Sequence, residues 1–206
     1  SNKKFPDLKQ YVLAHSMGSW IALAAMQKGM NISGLIISGS SKPLKTILLI
    51  QKILVKIQII LFGKRSVSMF LDNITLGPYN RQFKPNRTLK DWISSDNDNV
   101  DNYVEDPLCG FPVTNGLWDD LANGLLEVFK KGKYPNSNNL TSIFIISGSD
   151  DPVGENGKGV RRLNTFLSRL YPNISFKLEE GARHEVFSES SKENSYNSLI
   201  KFITTI

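Results

Sequence analysis

Four short apolar runs recur along the chain, each bounded by turn residues: QYVLA at 10–14, SGLIIS at 33–38, SIFIIS at 142–147 and ISFKLE at 174–179. Runs of this length and flanking read as buried strands. Segments of helical character separate some of them. Residues 18–28 are apolar and end at Gly29. Residues 157–170 carry Val160, Leu163, Phe166, Leu167 and Leu170 at helical spacing before Pro172, and residues 192–206 read as a terminal helix. Strand alternating with helix means parallel pairing with crossovers between the strands. The expected fold class is therefore α/β, a parallel sheet flanked by helices.

Residues 41–135 break that rhythm. The stretch opens with LKTILLIQKILVKIQIILFGKR, which is helical and apolar, and continues through polar SSDNDNVDNYVEDP, read as loop or loosely helical. It is too long for a crossover and reads as an inserted helical cap. The division is 1–40 core, 41–135 cap and 136–206 core, with a low-complexity loop NSNN at 136–139. The apolar helix near 46–62 is not a membrane span, because Gln51, Lys52, Lys56 and Gln58 interrupt it. It can pack on the core or rest on a lipid surface as a peripheral membrane contact.

Composition removes several function classes. The apolar content of 40% suffices for a core. A single cysteine, Cys109, excludes an internal disulfide and a Cys-rich zinc site, and two histidines leave little for a metal centre. The net charge of +6 is spread along the chain without a Lys/Arg block, which argues against nucleic acid as a partner. SNKKFPDLKQ lacks an apolar signal core, so the expected location is cytoplasmic.

One junction is abrupt. In YVLAHSMGSWIALAAM, residues 11–26, a strand passes into a helix around Ser16. A nucleophilic serine must project its hydroxyl clear of its own backbone, and such a turn does that while crowding positions two before and two after. Those positions hold Ala14 and Gly18. The first free N–H groups of the following helix can bind developing negative charge, and the Met17 N–H is the natural oxyanion donor. The bland alternative is that Ser16 only caps the helix. A serine nucleophile needs a base, and the base an orienting acid. FIISGSDDPVGENGKG sets Asp150 and Asp151 just past the third strand, and FKLEEGARHEVF sets His184 just past the fourth. Catalytic groups in open parallel sheets collect at these strand ends. His15, beside Ser16 in sequence, should point its ring elsewhere, into packing. Glu185, adjacent to His184, cannot easily reach the far nitrogen of that ring.

The segments AHSMGS, SGSDDPVG and EGARHE, in the chain order Ser, Asp, His, resemble an α/β-hydrolase of the monoacylglycerol lipase and lysophospholipase group, the serine-aminopeptidase-like hydrolases. EDPLCGF at 105–111 is similar to the cap of bacterial members. The resemblance implies Ser16 as nucleophile and His184 as general base. It places the acid three residues after the strand-ending Gly148, at Asp151 rather than Asp150. It implies a small-molecule acyl ester as substrate, with no metal and no organic cofactor. A peptidase or thioesterase on the same scaffold, and a non-catalytic binding protein, are the other readings.

Members of the group carry several strands before the serine turn, whereas ten residues precede Tyr11 here. The expectation is a chain lacking its N-terminal strands and the second oxyanion donor, with the missing N-terminal segment of the same protein as a required partner. The 206 residues by themselves should then be poorly stable and nearly inactive. Turnover of p-nitrophenyl esters by the purified chain checks this, and robust turnover contradicts it.

Overall fold

Unbroken Val, Ile and Leu runs give strands that a sheet covered on both faces can bury completely. In the computed structural model, which describes residues 4, 5, 7–130, 132–135 and 140–205, four such strands form one parallel sheet. The NSNN stretch at 136–139 lies outside the described residues. The strands are β1 (Tyr11–His15), β2 (Gly34–Ser38), β3 (Ser142–Gly148) and β4 (Ile174–Glu179), in the spatial order β1-β2-β3-β4. Helix α1 (Met17–Gln27) connects β1 to β2. Between β2 and β3 come α2 (Lys45–Phe62), α3 (Met69–Thr75), α4 (Gly77–Arg81), α5 (Asn97–Glu105) and α6 (Asn115–Val128). Helix α7 (Lys158–Leu167) connects β3 to β4, and α8 (Lys192–Thr205) follows.

Strand alternation sorts the core into two layers. Leu35, Ile37, Ile143 and Ile145 face α1 and α7, where they meet Leu23, Met26, Val160, Leu163 and Leu167. Ile36, Phe144 and Ile146 face the other way, toward Phe202 of α8. β2 and β3 are buried at every position. β1 lies at the edge of the described sheet, and Leu13 on it is 48% exposed.

The segment from 41 to 135 contributes no strand among the described residues. Its α2 packs against α6 around Val55 and Trp118, with Leu71 of α3 beneath. Lys56 reaches the nearly buried Asp119 at 2.9 Å across that contact. Within the polar stretch at 94–107, read as loop or loosely helical, Asn97–Glu105 form the helix α5. Asp96 starts this helix by accepting the N–H groups of Asp98 at 3.0 Å and Asn99 at 3.3 Å. Only Val100 of α5 is buried, so tertiary contacts and a cap, not apolar periodicity, hold it.

Candidate active site

β1 ends at His15 and α1 begins at Met17, so Ser16 alone makes the turn. Its backbone sits at φ 51 and ψ −125, a conformation that costs an L residue about 1–3 kcal/mol. Hydrogen bonds hold it there. The Ser16 N–H donates to the carbonyl of Ser38 at the tip of β2, 2.9 Å away. Its own carbonyl accepts the Ser19 N–H at 3.0 Å and the Ser19 hydroxyl at 2.5 Å. The Ser16 side chain makes no cap bond to α1, which removes the bland reading of this serine. Met17 is the first residue of α1, so its N–H has no partner within the helix. A Cβ placed on Gly18 meets no described atom within 4 Å outside its chain neighbours and the nearby backbone of α1.

The Ser16 hydroxyl lies instead 2.9 Å from Nε2 of His184. Nδ1 of the same ring lies 3.1 Å from each carboxylate oxygen of Asp151. Asp151 is 0% exposed. Its Oδ2 accepts the Ser147 hydroxyl at 3.1 Å and its Oδ1 the Val153 N–H at 2.9 Å. Burial by itself raises the pKa of this carboxyl. The charge and hydrogen bond of His184, then the Val153 N–H and the Ser147 hydroxyl, outweigh it and hold the group below the ordinary carboxylate range. Asp150, its neighbour, is exposed and accepts the Ser149 hydroxyl at 2.9 Å. The structure thus brings Ser16, His184 and Asp151 into one row and leaves Asp150 outside it. Glu185 turns away, its carboxylate accepting Asn99 Nδ2 at 2.8 Å.

To reach Ser16 at the end of β1, the histidine must come from the end of β4 across the tips of β3 and β2. Two glycines make the path. A Cβ on Gly148, the last residue of β3, would lie 2.0 Å from the Ala182 carbonyl oxygen and 2.2 Å from that of Arg183. A Cβ on Gly39, one residue past β2, would lie 2.9 Å from the carbonyl oxygen of His184. The loop therefore rests directly on backbone.

Two further rings touch His184: Trp92, which the sequence did not single out, and His15, which was expected to pack elsewhere. Trp92, from the segment between α4 and α5, has its centroid 5.1 Å away at 43°. The ring of His15 is 4.7 Å away at 52°, so it packs, but against the imidazole itself and not away from the site. His15 Nδ1 is 3.3 Å from the Ser38 hydroxyl. Burial, then the nearby His184, lower its pKa from 6.5 to about 4. In tryptophan-bearing DWISSD, nothing local marks Trp92 as a neighbour of a residue far along the chain.

Chemically, the row is a hydroxyl bonded to an imidazole whose far nitrogen is held by a buried carboxylate. Such an imidazole can take the hydroxyl proton while the carboxylate stabilises the resulting cation. Among the described residues, no group of three or more His, Cys, Asp or Glu could hold a metal ion.

The family described as serine aminopeptidase, S33, matches residues 1–191. Among solved structures, the chain is similar to a highly thermostable carboxyl esterase from Bacillus coagulans in complex with glycerol. That match has 27% identity and a TM-score of 0.84, and covers 100% of this chain and 67% of that one. A monoacylglycerol lipase from Paleococcus ferrophilus matches at 18% identity and a TM-score of 0.66, over 98% of this chain and 70% of that one. A soluble variant of monoglyceride lipase from Saccharomyces cerevisiae, in complex with a substrate analog, matches at 21% and 0.65, over 98% of this chain and 64% of that one. The last two matches speak for the α/β-hydrolase fold alone. No curated protein sequence matches the chain.

The depressed pKa of His15 has a consequence for stability. Below pH 6.5 the unfolded chain takes up a proton at this residue that the folded chain refuses until about pH 4. Stability from this group is thus complete above pH 6.5 and lost as pH falls toward 4, by at most about 3 kcal/mol. Urea unfolding at pH 7 and pH 4.5 checks this: His15→Asn should lose distinctly less stability on acidification than the parent.

Proposed function

Because the chain belongs to the serine aminopeptidase, S33, family of hydrolases, we propose that it is a serine carboxylic ester hydrolase acting on lipid-like acyl esters such as monoacylglycerol or lysophospholipid. The single observation that carries this reading is the Ser16 hydroxyl 2.9 Å from an imidazole nitrogen. The buried carboxylate of Asp151 holds the other nitrogen. The likeness to a carboxyl esterase at 27% identity supports an ester over an amide as substrate.

In this mechanism Ser16 Oγ attacks the ester carbonyl carbon as His184 Nε2 takes the hydroxyl proton. Asp151 holds the ring with its proton on Nδ1 and stabilises the imidazolium. The Met17 N–H stabilises the oxyanion, a contribution typically worth about 3 kcal/mol per donor. His184 then gives its proton to the departing alcohol, leaving an acyl group on Ser16. Water, deprotonated by His184, attacks that acyl group, and the carboxylic acid leaves with Ser16 restored. The residues named here carry each step without a metal or organic cofactor.

The segment from 41 to 135 acts in this reading as a cap. On α2, Ile47, Ile50, Ile53, Ile57 and Ile60 are exposed at spacings of three and four residues. A face of that kind suits the interface of a lipid surface. No described helix is long and apolar enough to cross a membrane. The family description also names peptidases, so an aminopeptidase on the same fold is the second reading.

In the full-length protein, a fluorophosphonate probe should label Ser16, and Ser16→Ala should abolish labelling and lower kcat about 10³-fold or more. Absence of labelling would sink the hydrolase reading. A panel of monoacylglycerols, lysophospholipids, thioesters and aminoacyl amides should give the highest kcat/KM on the first two classes, and amide preference would favour the peptidase. For the cap face, replacing Ile50, Ile53 and Ile57 together by serine should abolish co-flotation with anionic phospholipid vesicles, with circular dichroism showing the fold kept. Undiminished flotation would refute the lipid-facing role.

A further inference from the structure

The loop that carries His184 is tied to the end of β3, where the Asp150 N–H donates to the Ala182 carbonyl at 3.0 Å and the Gly181 N–H to the Ser149 hydroxyl at 2.9 Å, and also to residues 91–99 of the inserted segment. Glu189 is 1% exposed, a carboxylate withdrawn from water. It accepts the Ser95 N–H at 3.1 and 3.0 Å, the Ser95 hydroxyl at 2.5 Å, and the main-chain N–H of Arg183 at 2.7 Å. Arg183, immediately before the histidine, sends Nη1 to the carbonyl of Ser94 at 2.9 Å and to that of Asp91. Its guanidinium lies 4.0 Å from the centroid of the Phe83 ring. Glu185, immediately after the histidine, donates its N–H to the Ile93 carbonyl at 2.9 Å. Both sequence neighbours of His184 are thus tied to the strip that bears Trp92, the ring packed against the imidazole.

A carboxylate buried among neutral donors is an expensive way to close a loop, since every one of its bonds must be made to offset lost hydration. Here those bonds join the base's loop to a segment 94 residues away in sequence. The distance they control is the one on which proton transfer depends, because a misplacement of about 1 Å can lower a rate by about 10²-fold. We propose that Glu189 and Arg183 are positioning residues, a latch that fixes residues 182–185 to residues 91–95 and so sets the His184 imidazole against Ser16. The position of the inserted segment then becomes an input to the geometry of the base. The proposal rests on the assignment of Ser16 and His184 given above.

Two readings on the full-length protein test it. One is the steady-state kinetics of a p-nitrophenyl ester. The other, independent of turnover, is the low-field proton resonance of the His184 Nδ1–H bonded to Asp151. Glu189→Gln, which turns an acceptor oxygen into an amide donor facing Ser95 or Arg183, should lower kcat about tenfold or more with KM within about twofold. It should also shift or broaden the low-field resonance while the rest of the amide spectrum stays that of the parent. Arg183→Lys, which keeps the charge and the main-chain N–H but loses the side-chain fork, should do the same. Ser95→Ala, on an exposed residue, should give a smaller loss of about threefold in kcat. If Glu189→Gln does not fold, the other two variants decide by the same readings. Parental kcat with an unmoved resonance in the folded variants overturns the latch. A parent inert toward both ester and fluorophosphonate overturns the hydrolase reading, and the resonance still reports whether the latch holds the ring.

Discussion

The turn at Ser16 is the constraint on which the site depends. A serine at φ 51 is strained and persists only where its surroundings leave it no alternative. The surroundings here are the tip of β2, through the Ser38 carbonyl, and the first turn of α1, through Ser19. Ser19 is itself held, its hydroxyl 2.6 Å from that of Ser40. Backbone bonding is satisfied without the Ser16 hydroxyl, so that group is free to face an imidazole. Had the helix started in the ordinary way, the same hydroxyl would have been used on an N–H of the first turn.

Strand order imposes the second requirement. With the described strands arranged β1-β2-β3-β4, the serine follows the first in this order and the histidine the last. Asp151, just past the end of β3, lies between them. The histidine loop must therefore cross two strand ends, and it does so over Gly148 and Gly39, where a Cβ would meet backbone atoms of the loop. Those glycines serve close approach; at Gly148 no positive φ is involved.

What was legible in the sequence was local. The four strands announce themselves as short apolar runs, and the serine turn, the paired aspartates and the histidine each sit within a few residues of a strand end. The choice between Asp150 and Asp151 was not decidable by proximity, because adjacent residues share it. Burial separates them, and burial is set by Ser147, Val153 and a histidine 33 residues on. Trp92, Glu189 and the orientation of His15 lay beyond reach for the same reason: their meaning comes from partners distant in sequence. Glu189 reads as one charge in a polar loop, FSESSKE, until Ser95 is brought beneath it. The helix α6 was likewise hidden inside a stretch read only as an insert. Its Thr114 cap, accepting the Leu117 N–H at 3.3 Å, is a signal of the usual kind but a short-range one.

The charge arrangement around His184 is coherent with what that ring would have to do. An imidazole that takes a proton becomes a cation, and any cation beside it opposes the change. His15, with its centroid 4.7 Å away, is such a group in principle. Burial and the proximity of His184 keep it neutral at any pH well above about 4, so it contributes shape without charge. The other ring in contact, Trp92, bears no charge at all. On the opposite nitrogen stands a carboxylate held ionised by the same hydrogen bonds that orient it. The second buried carboxylate, Glu189, is met by N–H and O–H dipoles around the loop and makes no contact with the imidazole among its hydrogen bonds. A positive charge on His184 would therefore have one negative partner at bonding distance and two uncharged rings, an environment suited to the proton transfer proposed for Ser16.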